Sequence, residues 1–183
     1  LMENIMYKLV LDIEATCTNK NEFPREEMEI IEIGAVILED KDTIASFQCF
    51  IRPEIHPILT DFCNELTMIQ QPMVDSAENF CVEMKNFLKW VESNTKGQDY
   101  EFYSWGAFDK NIIDRQCKKA KIDASKLIAS HKNAKDLFGI QNKLDRAPGV
   151  SKALKMKNMK FDGTPHRALS DAINIAKLVL TLN

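Results

Sequence analysis

At 183 residues, 45% hydrophobic and 28% charged, the chain suits one compact α/β domain, residues 1–183, whose core needs neither disulfides nor a structural metal. No apolar run approaches the ~20 residues of a bilayer crossing and no basic-then-apolar leader opens the chain. Five scattered cysteines without a Cys-x-x-Cys pair argue against zinc and disulfide-linked partners, and for a reducing, cytoplasmic setting.

Residues 8–13 (KLVLDI) are apolar and β-rich and predict a first, buried strand. The polar stretch 18–29, with Pro24, reads as a loop. Residues 29–38 form a second apolar strand, 41–42 a turn, and 44–51 a third strand ended by Pro53. The short connection makes these strands antiparallel. A short helix follows at 60–66. Phe80, Met84, Phe87, Leu88 and Val91 then predict an amphipathic helix over 76–91, with Trp90 in the core. Residues 101–105 read as a fourth strand and 110–119 as a helix. Within 125–144, residues 135–140 are either a fifth strand or a helix start. A short helix at 151–156 and a strongly amphipathic one at 168–182 complete the chain. Strands early and helices later indicate one mixed sheet covered by helices.

Charge is distributed unevenly. Residues 1–109 carry 8 Lys/Arg against 21 Asp/Glu, whereas residues 110–160 carry 14 against 4. The second stretch is either a positive surface for a polyanion or a set of solvated helix faces.

The candidate chemistry lies in four acids and a histidine. Asp12 and Glu14 flank Ile13 at the end of the first strand, and period two puts both carboxylates on one face. Like charges so placed repel unless a cation separates them, and hard oxygen ligands suit Mg²⁺ or Mn²⁺. Asp109 opens a helix after Trp105-Gly106-Ala107-Phe108, where an N-cap role would also explain it. His166 sits in a loop after Gly163-Thr164-Pro165, and Asp171 in the first turns of the last helix, a position the helix dipole favours by itself. Singly, each has a plain structural explanation. His56 and His131 have no motif around them and read as structural or solvated.

Their order is more specific. A strand-end Asp-x-Glu, a strand–Gly–Asp–helix and a loop His with Asp five residues on resemble the three motifs of the DEDDh 3′→5′ exonucleases. The local words agree: Leu11-Asp12-Ile13-Glu14-Ala15-Thr16-Cys17, Glu32-Ile33-Gly34-Ala35, Ser104 through Asp109, and His166-Arg167-Ala168-Leu169-Ser170-Asp171. The first word and Asp61-Phe62-Cys63-Asn64-Glu65-Leu66-Thr67 resemble most the subgroup of histone-mRNA and small-RNA 3′-end exonucleases and their small bacterial relatives. The resemblance runs from about residue 8 to 180.

This resemblance implies an RNase H-like fold with a five-stranded mixed sheet, the first three strands antiparallel. It implies that Asp12, Glu14, Asp109 and Asp171 hold two Mg²⁺ (or Mn²⁺) ions, ~4 Å apart in two-metal sites. His166 would be the general base, a task that suits an imidazole near neutral pH. Nucleoside 5′-monophosphates would be released from a single strand or 3′ overhang, RNA rather than DNA. Phe62 and Phe108 take positions that stack terminal bases, core packing being the alternative. Ala15 and Thr16 would meet the terminal sugar, with Thr67 and His166 also at the substrate. A DNA exonuclease and a catalytically silent binding module on the same fold are the competing readings. Two departures stand out: Met68 follows Leu66-Thr67 where the subgroup has glycine, and Ser170 replaces an acid. The extra nucleic-acid-binding domain of larger relatives is not seen, so affinity is expected from this domain or a partner.

Overall fold

The computed structural model describes residues 6–183; residues 1–5, part of the stretch read for a leader, lie outside it. Five strands form one sheet in the order β3-β2-β1-β4-β5. Strands β1 (Tyr7–Ala15), β2 (Ile30–Glu39) and β3 (Asp42–Phe50) form the expected antiparallel meander. Strand β4 (Tyr100–Ser104) runs parallel to β1, and β5 (His131–Asn133) parallel to β4.

Central β1 is covered on both faces, which is why it reads as a continuous apolar run. Leu9, Leu11, Ile13 and Ala15 enter one core and Val10 enters the other. Edge strand β3 is more exposed, with Ala45, Phe47 and Cys49 packed against the core and Ser46 and Gln48 exposed between them.

The helices are α1 (Asp61–Thr67), α2 (Gln71–Asp75), α3 (Phe80–Asn94), α4 (Phe108–Ala120), α5 (Ser125–Ala129), α6 (Ala134–Gln141), α7 (Val150–Met156) and α8 (Ala168–Val179). A 3-10 turn, Arg25–Glu27, interrupts the loop after β1. Helices α3 and α4 cover one face of the sheet. Trp90, expected in the core, is half-buried there against Phe47 and Phe87. Helices α6, α7 and α8 cover the other face.

Two expectations are refined. The helix expected from residue 76 starts at Phe80, because the Asn79 side chain accepts from the Val82 N–H and caps it. Of the two readings of 135–140, the helix start holds, and the fifth strand lies just before it at His131–Asn133. Asn133 ends the strand and caps α6 by accepting from the N–H groups of Lys135 and Asp136.

Candidate active site

Asp12 and Glu14 lie near the C-terminal end of β1, on the face covered by α8. The register of β1 with β4 stops at Val10–Tyr103, so the next residues of β1 lack a strand partner on that side. Asp109, in the first turn of α4, supplies one: its Oδ1 accepts the Ile13 N–H at 3.0 Å. Asp109 is therefore not a helix cap; Ala107 occupies the N-cap without a side-chain bond. The turn that presents Asp109 needs Gly106, whose φ of 112° disfavours any side chain. The buried Ser104 hydroxyl donates to the Gly106 carbonyl at 2.7 Å and meets His131 Nε2 at 2.8 Å. His131 is thus a structural support beneath the turn.

Asp171 arrives from α8, whose position over the sheet is tightly specified. A Cβ on Gly34 of β2 would lie 2.1 Å from the Leu169 nitrogen and 2.2 Å from the Ala168 carbonyl carbon, so glycine admits the helix. Beside it, Glu32 is buried and accepts from Arg167 Nη2 (3.0 Å), Arg167 Nε (3.3 Å), the Ala168 N–H (3.2 Å) and Gln48 Nε2 (3.0 Å). The Arg167 guanidinium also lies over the Phe50 ring. One carboxylate oxygen each of Asp12, Glu14 and Asp171 consequently falls within 4.8 Å of the others.

These acids are strained electrostatically. Burial, then Asp109, Glu14, Asp171 and Glu32, push the Asp12 carboxyl well above its ordinary range. Burial followed by Asp171 raises Glu14 to about 8, and burial raises Asp109 to about 7. Asp171 is raised by burial, against the opposing pull of the His166 N–H and imidazole. Divalent charge placed among these carboxyl groups would relieve both their mutual repulsion and their lost hydration. The oxygen-only donors fit a hard cation.

His166 is exposed on the loop that enters α8, with φ of 61°, on the rim rather than within the acid cluster. Phe108 is half-buried in the first turn of α4, and the exposed Arg25 places its guanidinium 5.0 Å from the ring centroid. Phe62 is half-buried on α1. Helix α1 is tied to the end of β1, since the Thr60 hydroxyl donates to the Cys17 carbonyl at 2.6 Å. Ala15 and Thr16 are buried, with the Thr16 hydroxyl accepting the Glu29 N–H at 2.8 Å. Thr67 is fully buried; its hydroxyl donates to the Cys63 carbonyl and accepts from Ile69 N–H, so it is not offered to a ligand. Met68 takes the left-handed conformation, φ 61° and ψ 10°, as the C-cap of α1.

Glu32, Gly34, Arg167 and Arg25 had no role assigned from the sequence. Glu32 carried a readable signal: a carboxylate within an apolar strand must find a buried partner. The identity of that partner, 135 residues away, had none.

The exonuclease family profile, of the RNase T type, matches residues 9–179. The chain is 31% identical to 3′-5′ exoribonuclease 1 of Rattus norvegicus and of Homo sapiens, over 96% of its own length and 52% of theirs. It spans about half the length of these relatives. Among solved structures, the nuclease domain of 3′hExo, a DEDDh family member bound to rAMP, is 29% identical, with TM-score 0.86 over 96% of this chain and 90% of that one. The 3′-exonuclease that recognises the histone mRNA stem-loop is 28% identical, with TM-score 0.86 over 96% and 63%. Exonuclease I of E. coli with single-stranded DNA, at 11% identity and TM-score 0.74 over 96% and 40%, shares the fold. Five strands in this order and an acid cluster at the end of β1 accompany a profile match over nearly the whole chain: it belongs to the exonuclease family, DEDDh type.

Proposed function

We propose that residues 1–183 form one exonuclease domain that removes nucleotides from RNA 3′ ends, releasing nucleoside 5′-monophosphates. The observation that carries this reading is the convergence of Asp12, Glu14 and Asp171, with Asp109 bonded to the residue between the first two. Asp12, Glu14 and Asp171 would hold divalent metal, with Asp109 beside them. Two Mg²⁺ or Mn²⁺ ions are the hard cations such oxygens select. When bound, the metal would offset charge on the scissile phosphate and make a water more acidic.

The chain's own groups supply the rest. His166 accepts the proton of the attacking water at a ring nitrogen, from a rim position that solvent and substrate both reach. Phe108 and Phe62 hold the terminal base between aromatic surfaces, a contact worth ~1–3 kcal/mol per base and tolerant of sequence. Arg25 backs the Phe108 ring. Backbone groups at Ala15 and Thr16 face the terminal sugar, and a contact to its 2′-hydroxyl would favour RNA. Thr67 acts indirectly, by holding the end of α1. RNA is also favoured by the relatives, which are exoribonucleases. Five unlinked thiols suit a reducing, cytoplasmic setting. Among the described residues no helix is long and apolar enough to cross a membrane.

The test is a time course on RNA and DNA of one sequence, labelled at either end, with Mg²⁺, Mn²⁺ or EDTA. The 3′ label is expected first, as a mononucleotide, from RNA faster than DNA, and only with metal. Asp12→Ala and Asp171→Ala are expected to abolish trimming while leaving the circular dichroism spectrum unchanged. Internal cleavage, or intact RNA under every condition, would overturn the reading.

A further inference from the structure

Part of the basic stretch is tied by packing to the segments that carry Asp109 and His166. Several of its cations are engaged elsewhere: Lys118 pairs with Asp114, Lys132 with Glu101, and Arg115 donates to the Met28 carbonyl. Residues 143–160 carry six Lys/Arg against Asp145 alone. Among the described residues, Arg146, Lys152 and Lys155 are exposed and have no carboxylate within 4.0 Å. Lys152 and Lys155 lie three apart on α7 and are therefore neighbours on its surface.

Helix α7 is bracketed by the two segments that bring acids to the site. At one end, Trp105 donates its indole N–H to the Pro148 carbonyl at 3.0 Å and, like Val150, packs against the cluster of Phe138, Ala153, Leu154 and Leu178; Asp109 is four residues on. At the other, the chain leaves α7 through Phe161, packed in the same cluster, and runs directly to His166. The opposite wall, on the β2–β3 side of β1, consists of the loop after β1 and of α1 with its approach. Residues 18–29 and 54–66 there hold seven Asp/Glu against Lys20 and Arg25.

A polynucleotide carries one negative charge per phosphate, so one wall repels it and the other attracts it. We infer that the substrate strand, 5′ of the nucleotide being removed, leaves the pocket across α7, with its phosphates held by Arg146, Lys152 and Lys155. This path rests on the exonuclease reading above and adds a direction and a set of contacts to it.

The test compares wild type with R146E/K152E/K155E, with the milder R146Q/K152Q/K155Q, and with K85E/K89E/K121E, which alters three exposed lysines away from α7. Each is given a dinucleotide and a twelve-nucleotide single-stranded RNA with Mg²⁺, over a range of salt. The α7 variants are expected to raise KM for the longer RNA at least tenfold at low salt in the Glu form, and less in the Gln form. The slope of log KM on log salt should fall by about 2, three contacts at ~0.7 each. Dinucleotide cleavage should be unchanged, and the control variant should match wild type on both substrates. Unchanged KM and salt slope for the longer RNA, with the dinucleotide still cleaved, would overturn the path alone. If wild type trims neither RNA, the exonuclease reading falls and the path falls with it.

Discussion

The Asp109 carboxylate accepts the backbone N–H of Ile13 at 3.0 Å, clamping the first turn of α4 to the residue that separates Asp12 from Glu14. The same side chain thus closes the free edge of β1 and sets a carboxyl beside the proposed metal site, and two substitutions separate these tasks. Asp109→Asn keeps an oxygen for Ile13 and removes a carboxyl that burial already holds protonated up to about pH 7. Asp109→Ala leaves a buried N–H unpaired, at a cost of about 1–3 kcal/mol. RNA trimming is expected to fall on the order of 10²–10³-fold in both, whereas thermal unfolding should shift downward only in the alanine variant. Equal destabilisation by Asn and Ala would count against the clamp.

Helix α8 is seated by Glu32 and Gly34, neither of which is placed at the reacting phosphate. Removing one partner of a buried ion pair costs about 3–5 kcal/mol. Because Arg167 keeps some solvent contact, Glu32→Ala is expected near the lower end. Gly34→Ala forces a methyl group into backbone of α8 and is expected to cost at least the ~1–3 kcal/mol of an overpacked core. Both should reduce trimming by displacing Asp171, and raised metal concentration should partly restore it. Chemical denaturation beside metal titration of each variant checks this; wild-type metal affinity in either would refute it.

The raised carboxyls make metal-free stability depend on pH in a definite direction. Folded Glu14 holds its proton to about pH 8, whereas the unfolded chain releases it near the ordinary 4.5. Between those values the folded state binds more protons, so its stability in EDTA should fall as pH rises. Divalent cations compete with these protons, so the gain in Tm on adding Mg²⁺ or Mn²⁺ should be small at pH 5.5 and large at pH 8. Glu14→Gln should flatten the slope in EDTA. A metal-induced gain that is the same at both pH values would contradict competition between metal and protons for these carboxyls.

Met68 holds a left-handed backbone as the C-cap of α1 and is 56% exposed. That conformation costs an L-residue roughly 1–2 kcal/mol, while glycine gives back roughly 0.4–1 kcal/mol in unfolded-state entropy. Met68→Gly should therefore stabilise by roughly 0–1.6 kcal/mol, raising Tm by ~2–4 °C for each kcal/mol gained. Calorimetry decides it, and a lower Tm would mean that the Met68 side chain makes a contact that outweighs the backbone cost.

Much of the architecture was written locally. The apolar run ending in Asp12-Ile13-Glu14 declared a buried strand with two acids on one face, and the spacing of Leu169, Ala172, Ile173 and Ala176 declared α8. The fifth strand escaped because three residues, His131–Asn133, are too few to show a period, and the apolar residues just after them belong to α6. Asp109 was legible as an acid at a helix start, but its bond to Ile13 was not.

By itself, then, the amino-acid order picked out the candidate acids and the elements that bear them, because strand and helix periods repeat within a few residues. Only the tertiary structure decided that Glu32 meets Arg167, that Gly34 admits α8, and that Trp105 bonds Pro148 ahead of α7. Those pairings join residues many tens of positions apart through packing, and no short window of sequence encodes a partner at that distance.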